Sequence, residues 1–265
     1  MNPNLRPLPF VLVSSGHGTM IVNRNDHHMI DAQRGYGVGH QIFETSYFDP
    51  AEVQVATQLL SLRRELFGPG VVAIDGGANI GVHTIEWAKF MHGWGTVIAV
   101  EAQERIFYAL AGNVAINNCF NATLHHAALG AEEGSLSMPR PDYLKPGSFG
   151  SLELRHSGKN ENIGQPIDYS VAGGQQVKMI TVDGLHLDRL DFLKLDIEGM
   201  ELEGLAGAAK SIQAHKPLML IETIKTDVVE LKRVLESFGY NYHPLGINLV
   251  AVHASDPCAA RINRG

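Results

Sequence analysis

Short apolar runs alternate with amphipathic stretches along most of this chain. Val71-Val72-Ala73-Ile74, the run 96–100, Phe192-Leu193-Lys194-Leu195 and Leu218-Met219-Leu220-Ile221 are brief and almost wholly apolar. That pattern predicts strands covered on both faces. Residues 122–126 and 177–182 read as further strands. Between them, 80–91 places Ile80, Trp87, Ala88 and Met91 at helical spacing, and 104–117 does the same with Ile106, Leu110 and Val114. Residues 200–211 and 226–238 read as two more helices. The runs 240–243 and 247–252, around Pro244-Leu245-Gly246, predict a terminal hairpin. Strand and helix alternating through short connections predict an α/β fold: a doubly wound, mostly parallel seven-stranded Rossmann-like sheet ending in an antiparallel hairpin.

Two segments depart from that rhythm. Residues 1–69 carry short apolar runs broken by Gly, Asn and His, then a helix from Pro50 with Asp49 as its N-cap, ended by Gly68-Pro69-Gly70. They are expected to form an N-terminal cap on a core spanning 70–265. Residues 138–176 are rich in Pro, Gly, Ser and Asn. So long a connection in a compact domain is functional or mobile, and it is expected to be a substrate region that orders on binding.

Composition narrows the possibilities. The 265 residues hold 21 Lys and Arg against 28 Asp and Glu, a net charge of −7 without a basic run. A nucleic-acid partner is not expected, because such grooves work by neutralising phosphates. Two cysteines, Cys119 and Cys258, exclude a disulfide framework and point to a reducing, cytoplasmic setting. No apolar run approaches the roughly 20 residues that span a bilayer, so membrane insertion is not expected. No signal peptide is read at the N-terminus. A homodimer through the cap is a further expectation.

In open parallel sheets the ligand crevice lies at the carboxyl ends of the strands. Here four strands each end in a carboxylate: Asp75, Glu101, Asp196 and Glu222. Like charges gathered at one edge are unfavourable unless a ligand, a cation or hydrogen bonds compensate. The first strand runs into Asp75-Gly76-Gly77-Ala78-Asn79-Ile80-Gly81, a turn in which the glycines allow positive φ and close backbone approach, and Asn79 tolerates a left-handed backbone or caps the next helix. A dinucleotide fingerprint would place glycine where Ala78 stands, and Asp75 disfavours a pyrophosphate. An ammonium group suits Asp75 better. Glu101, 20 residues beyond Gly81, suits a ribose diol, since a carboxylate accepts from both hydroxyls. Together these fit S-adenosylmethionine better than NAD. A nicotinamide-dependent oxidoreductase and a non-catalytic S-adenosylmethionine-binding module are the competing readings.

The glycine turn, Val100-Glu101-Ala102, Phe192-Leu193-Lys194-Leu195-Asp196-Ile197-Glu198-Gly199-Met200-Glu201 and Leu220-Ile221-Glu222 together resemble the FkbM-type methyltransferases over about residues 70–253. Ala102 departs from the proline more usual there. The resemblance implies an S-adenosylmethionine-dependent enzyme of class I that methylates hydroxyls on small molecules, sugars or lipids. It implies that Asp75 and the backbone from Gly76 through Gly77, Ala78 and Asn79 to Gly81 hold the methionine portion. Glu101 with Ala102 holds the ribose, His126 and Ala127 border the adenine, and Asp196 lies at the reacting centre.

Methyl transfer to oxygen needs positioning and removal of a proton. Asp196, Glu222 and Glu198 are the candidate groups, with Asp196 or Glu222 taking the proton. A divalent cation such as Mg²⁺, shared by two of these carboxylates, is the alternative role. Glu198 and Glu201 also suit a helix N-terminus without any catalysis. Thr84 is placed to bond the methionine carboxylate or its own helix backbone. His83 can reach the cleft, and Tyr36, Tyr47 and Phe48 form either a lid or cap packing. His125 and His126 are adjacent in a strand, so they face opposite ways and cannot chelate one ion. His27-His28 is a loop pair.

Overall fold

The computed structural model describes residues 6–31, 34–170 and 173–262. Residues 1–5 and 32–33 of the predicted cap, 171–172 of the predicted insertion and 263–265 of the predicted core lie outside them. The chain opens with β1 (Phe10–Ser15) and β2 (Gly18–Asn23), a hairpin, then the short pair β3 (His28–Met29) and β4 (Gly35–Tyr36). Helices α1 (Val38–Thr45) and α2 (Pro50–Phe67) follow. The alternating region is β5 (Val71–Gly76), α3 (Val82–Phe90), β6 (Gly95–Glu101), α4 (Glu104–Ile116) and β7 (Ala122–His126). Three small strands come next: β8 (Ala128–Leu129), β9 (Gly134–Met138) and β10 (Gln175–Ile180). The alternation resumes with β11 (Phe192–Leu195), α5 (Glu201–Ala206), α6 (Ala209–His215), β12 (Leu218–Glu222) and α7 (Val228–Ser237). It ends in β13 (Tyr240–Leu245), β14 (Asn248–His253) and α8 (Ala259–Ile262).

The main sheet has seven strands in the order β13-β14-β12-β11-β5-β6-β7. Neighbours are parallel from β12 through to β7, and β14 runs antiparallel to both β12 and β13. Both faces are covered. Leu218 and Leu220 point into one core with residues of α2, α3 and α4, whereas Met219 and Ile221 point into the other with residues of α5, α6 and α7. This two-sided burial explains why the strand sequences read as continuous apolar runs. The chain winds outward from β5 to β7 and then returns to β11 on the opposite side of β5, so the topological switch lies between β5 and β11.

Three expectations are corrected. The run at 177–182 does not join the main sheet. β10 pairs parallel with β8 and antiparallel with β9 in a separate three-stranded sheet. Gln176 and Lys178 alternate with the buried Val177 and Met179, so this strand has only one face fit for a core. The helix expected at 200–211 is two helices. Gly207 packs so closely on Gly130 that a Cβ there would lie 2.0 Å from the Gly130 carbonyl oxygen. Its own carbonyl accepts from the Asp183 N–H, and the Asp183 carboxylate accepts from the N–H groups of Lys210 and Ser211, starting α6 afresh. Asp49 stands at the N-cap of α2 but makes no capping bond; its carboxylate accepts from Gln41 instead.

The N-terminal segment is built into the core. Met20 and Val22 of β2 are fully buried. Asn113 of α4 accepts from the Ile21 N–H and donates to the Ile21 and Ile80 carbonyls, tying the hairpin to the glycine turn. Residues of α2 share one core with Trp87 and Phe192. The described residues of 138–176 are anchored to the two cores. Phe149, Leu152 and Ile163 are buried anchors, and the buried Asp26 accepts from the N–H groups of Gly39 and Phe149, joining cap and insertion. Burial raises that carboxyl to about 6.

Candidate active site

A cavity of about 710 Å³ opens over the carboxyl ends of β5, β6, β11 and β12. The glycine turn and Glu101 form one wall, Asp196 to Glu198 and Glu222 the opposite one. Helix α1 and the first turn of α2 roof it, and Ser148 to Leu152 close a side.

The glycine turn owes its shape to contacts that tolerate no side chain. Gly77 has φ +76°, and a Cβ there would fall 1.7 Å from the Asp196 carbonyl oxygen. The Asp196 N–H donates to the Gly76 carbonyl at 3.1 Å. The ends of β5 and β11 are thus locked together beneath the cavity. Asn79 adopts the left-handed backbone expected of it, φ +51°, while the N-cap of α3 falls to Gly81 at φ +92°. Glu101 holds the turn from the neighbouring strand. Its Oε2 accepts from the Asn79 N–H at 2.9 Å and its Oε1 from the Gln103 N–H at 2.7 Å. It is 6 % exposed, and burial outweighs these donors, raising its carboxyl to about 7, with Asp75 adding to the effect.

Of the residues expected at the cofactor, Gly77, Ala78, Asn79, Glu101, Ala102, Ala127 and Asp196 line the cavity. Asp75, Gly76, Gly81, Thr84 and His126 are not in its wall. Asp75 lies behind it, 1 % exposed, with Oδ2 accepting from the Thr84 hydroxyl at 2.6 Å and Oδ1 without a hydrogen-bond partner. Thr84 therefore bonds the Asp75 carboxylate and not its own helix backbone. Facing Asp75 in register across the β5–β11 pair is Lys194, 3 % exposed. His126 turns away: its imidazole stacks on Phe107 and its Nε2 meets the Ala102 carbonyl.

The opposite wall is acidic. Asp196, Glu198 and Glu222 each bring a carboxylate oxygen within 4.8 Å of the other two. Lys194 donates to Asp196 Oδ2 at 2.8 Å, and Lys225 donates to Glu198 and to the Ser151 carbonyl. Burial by itself would pull the Lys194 ammonium down, but Asp196, Asp75 and Glu52 hold it above the usual lysine range. Glu198 is pushed well up by burial and by Asp196 and Glu222, against the pull of Lys225. Glu222, 7 % exposed, is pushed up to about 8 by burial and then by Asp196 and Glu201. Its Oε2 has no hydrogen-bond partner. The backbone carrying this wall is strained, with Glu198 at φ +56° next to Gly199 at +90°. Glu201 secures it, Oε1 accepting from the N–H groups of Ile197 and Gly199. The helix-start role therefore belongs to Glu201, and Glu198 faces the cavity.

His83 reaches the cavity, its Nε2 3.2 Å from Glu52 Oε1. Burial works against the Glu52 charge, yet His83 and Lys194 pull its carboxyl down to about 2. Tyr36 and Phe48 line the cavity; Tyr47 does not, its ring lying edge-on to His17. Tyr36 links the cap to the insertion by donating to Glu161. His28 bonds Tyr36.

Sequence alone gives no role to Lys194, Lys225, Glu52 or Asn248. Lys194 did carry a signal: a lysine inside a strand buried on both faces, two residues from Asp196 and hence on its side of the sheet. Lys225 lies in the connection after β12, and Asn248 opens β14, where its reach to Glu52 is defined only by the fold.

A family model described as "Methyltransferase FkbM domain" matches residues 75–242. "Methyltransferase 1" of Beauveria bassiana is 25% identical over 178 residues, 63% of this chain and 71% of that protein. Among solved structures, methyltransferase FkbM from Methylobacillus flagellatus is 19% identical with a TM-score of 0.49, over 74% of this chain; the match spans about half of that protein, 48%. Precorrin-6y C5,15-methyltransferase from Geobacter metallireducens is 14% identical with a TM-score of 0.45, over 78% of this chain and 88% of that one.

Proposed function

Since the chain belongs to the FkbM methyltransferase family, we propose that it transfers the methyl group of S-adenosylmethionine to a hydroxyl of a small molecule, sugar or lipid. The observation that carries this reading is Glu101. Its carboxylate is fixed at the mouth of the glycine turn by one backbone N–H on each oxygen, and it faces the cavity with acceptor capacity left over for a ribose diol. Gly77 brings only backbone to the surface beside it. Ala102, Ala127 and Leu129 add small apolar contacts on which a purine can rest. These residues fit the nucleoside.

When bound, S-adenosylmethionine supplies a methyl carbon on a positively charged sulfur, open to in-line displacement. The protein's share is to hold the acceptor oxygen in line and to relieve it of its proton. Asp196 and Glu222 both face the cavity, and either is placed to take that proton; Glu222, raised to about 8, takes it in the carboxylate form that a positive ligand restores. Asp75 acts from behind the wall, its charge shared with Lys194. A positive ligand gains from the acidic rim without touching every member of it.

Two measurements test the reading. S-adenosylhomocysteine should raise the melting temperature of the protein, whereas NAD(H) should leave it unchanged. Label from methyl-tritiated S-adenosylmethionine should then pass to a hydroxyl-bearing acceptor drawn from sugar and lipid extracts. Stabilisation by NAD(H) alone would overturn the assignment. Tight S-adenosylhomocysteine binding with no label transferred to any fraction would favour a binding module.

A further inference from the structure

The two lysines leave part of the acidic wall unanswered. Lys194 engages Oδ2 of Asp196 and Lys225 engages Oε2 of Glu198. The other oxygen of each carboxylate receives no hydrogen bond among the described residues. Glu222 receives none on Oε2, although that atom is inaccessible to water and the residue is more than nine-tenths buried. A buried carboxylate without a donor is costly unless something positive sits against it. These three side chains come from the end of β11, the strained turn after it and the end of β12, and they converge to within 4.8 Å. Opposed oxygen ligands of one Ca²⁺ stand up to about 5 Å apart, and those of Mg²⁺ about 4 Å, so a small closure of the rotamers brings the trio around a single hard cation.

We propose that Asp196, Glu198 and Glu222 hold one divalent cation, through the carboxylate oxygens that the lysines leave open, in the same cavity as the methyl donor. Three carboxylate oxygens leave an octahedral ion room for further oxygen ligands, supplied by water or by an acceptor hydroxyl. The functional meaning rests on the methyltransferase reading: the ion becomes the handle that orients an oxygen-rich acceptor, and with Asp196 and Glu222 engaged as its ligands the proton of an ion-bound hydroxyl passes to water and not to either of them. Lysine compensation does not make the ion redundant. Asp75, Glu52 and Glu161 draw on the same two ammonium groups, so the rim keeps a surplus of negative charge.

The test is Mn²⁺ binding to the full-length protein, followed by electron paramagnetic resonance and calorimetry, with S-adenosylhomocysteine titrated in parallel. The wild type should take up one Mn²⁺ per chain. Glu222→Gln and Glu198→Gln should each weaken uptake at least tenfold while keeping S-adenosylhomocysteine affinity within about threefold, which also shows that they fold. Glu44→Gln, an acid of the same cavity outside the trio, should bind Mn²⁺ as the wild type does. A wild type that binds S-adenosylhomocysteine but no Mn²⁺, or Mn²⁺ uptake indifferent to both trio substitutions, overturns the cation site. Mn²⁺ uptake lost in the trio variants, without S-adenosylhomocysteine binding by the wild type, sustains the cation site and removes the methyl-donor reading.

Discussion

Replacing Glu101 by Gln isolates the contact on which the cofactor assignment turns. The carboxylate accepts from Asn79 on one oxygen and Gln103 on the other. A glutamine satisfies one of these and presents an N–H₂ donor to the other, and it offers one acceptor oxygen where a ribose diol needs two. Loss of a hydrogen bond to a buried charged group is worth about 1–3 kcal/mol, so S-adenosylhomocysteine affinity should fall roughly ten- to hundredfold. The pH dependence adds a second signature. The carboxyl titrates near 7 in the empty site because burial opposes its charge, and hydroxyl donors from a ribose favour the charged form. Binding should therefore release a proton, and affinity should drop roughly 30-fold from pH 8 to pH 5.5 as the empty site becomes protonated. Calorimetry in two buffers of different ionisation heat reads both quantities. The Gln variant should show the weaker affinity and a flat profile over the same range. Unchanged affinity in the variant, or a slope that survives the substitution, would refute the role given to Glu101.

Three further outcomes follow from the packing. Gly77→Ala should destabilise the protein by about 2–4 kcal/mol in urea unfolding, because the methyl group would overlap the Asp196 carbonyl in a left-handed backbone. Arg63→Ala should cost about 3–5 kcal/mol, since Arg63 lies buried between Asp191 and Asp256 and its removal strips a partner from both. Glu222→Gln should raise the melting temperature of the ligand-free protein in chelator-treated buffer at pH 9 and leave it nearly unchanged at pH 5. The Glu222 carboxyl is raised from 4.5 to about 8, so the folded wild type holds its proton where the unfolded chain does not. That contribution is complete below about 4.5 and is lost as the pH climbs through 8. A variant no more stable than the wild type at pH 9 would contradict the account.

The sheet was legible because its burial is two-sided and its strands consequently announce themselves as apolar runs. β10 misled for the opposite reason: Val177, Met179 and Ile180 look like another such run until Gln176 and Lys178 are weighed as a polar face. The break at Gly207 was not legible, since it depends on Gly130 and Asp183, both distant in sequence. In the site, strand-end position located Glu101, Asp196 and Glu222 at the cavity, but it placed Asp75 there too. Position along a strand does not say whether a carboxylate leans forward into the cavity or back onto Thr84. The anchors of residues 138–170 escaped because Phe149, Leu152 and Ile163 are isolated apolar residues without a period, and their burial is decided by the cap that meets them.

The acidic rim has a polarity that follows from where the lysines and His83 stand. Glu52 and Glu222 line one cavity, yet one carboxyl is held near 2 and the other near 8. Glu52 lies against His83 and draws on Lys194, whereas Glu222 has Asp196 and Glu201 as its strongest neighbours after burial. Environments that drive paired carboxyls apart divide the labour between them. The Glu52 side keeps a fixed negative charge, which favours a permanently positive sulfur, whose charge is lost on methyl transfer. The Glu222 side holds its proton in the empty protein and gives it up only when something positive arrives, so it responds to occupancy where Glu52 does not. On the proposed reading, donor binding near Glu101 and cation binding near Glu222 thus each release a proton, but over different pH ranges. Glu101 loses a proton to the solvent as the donor enters. Glu222 is then the group whose ionisation should track the acceptor or the cation, and the two events are separable by the pH at which each is titrated.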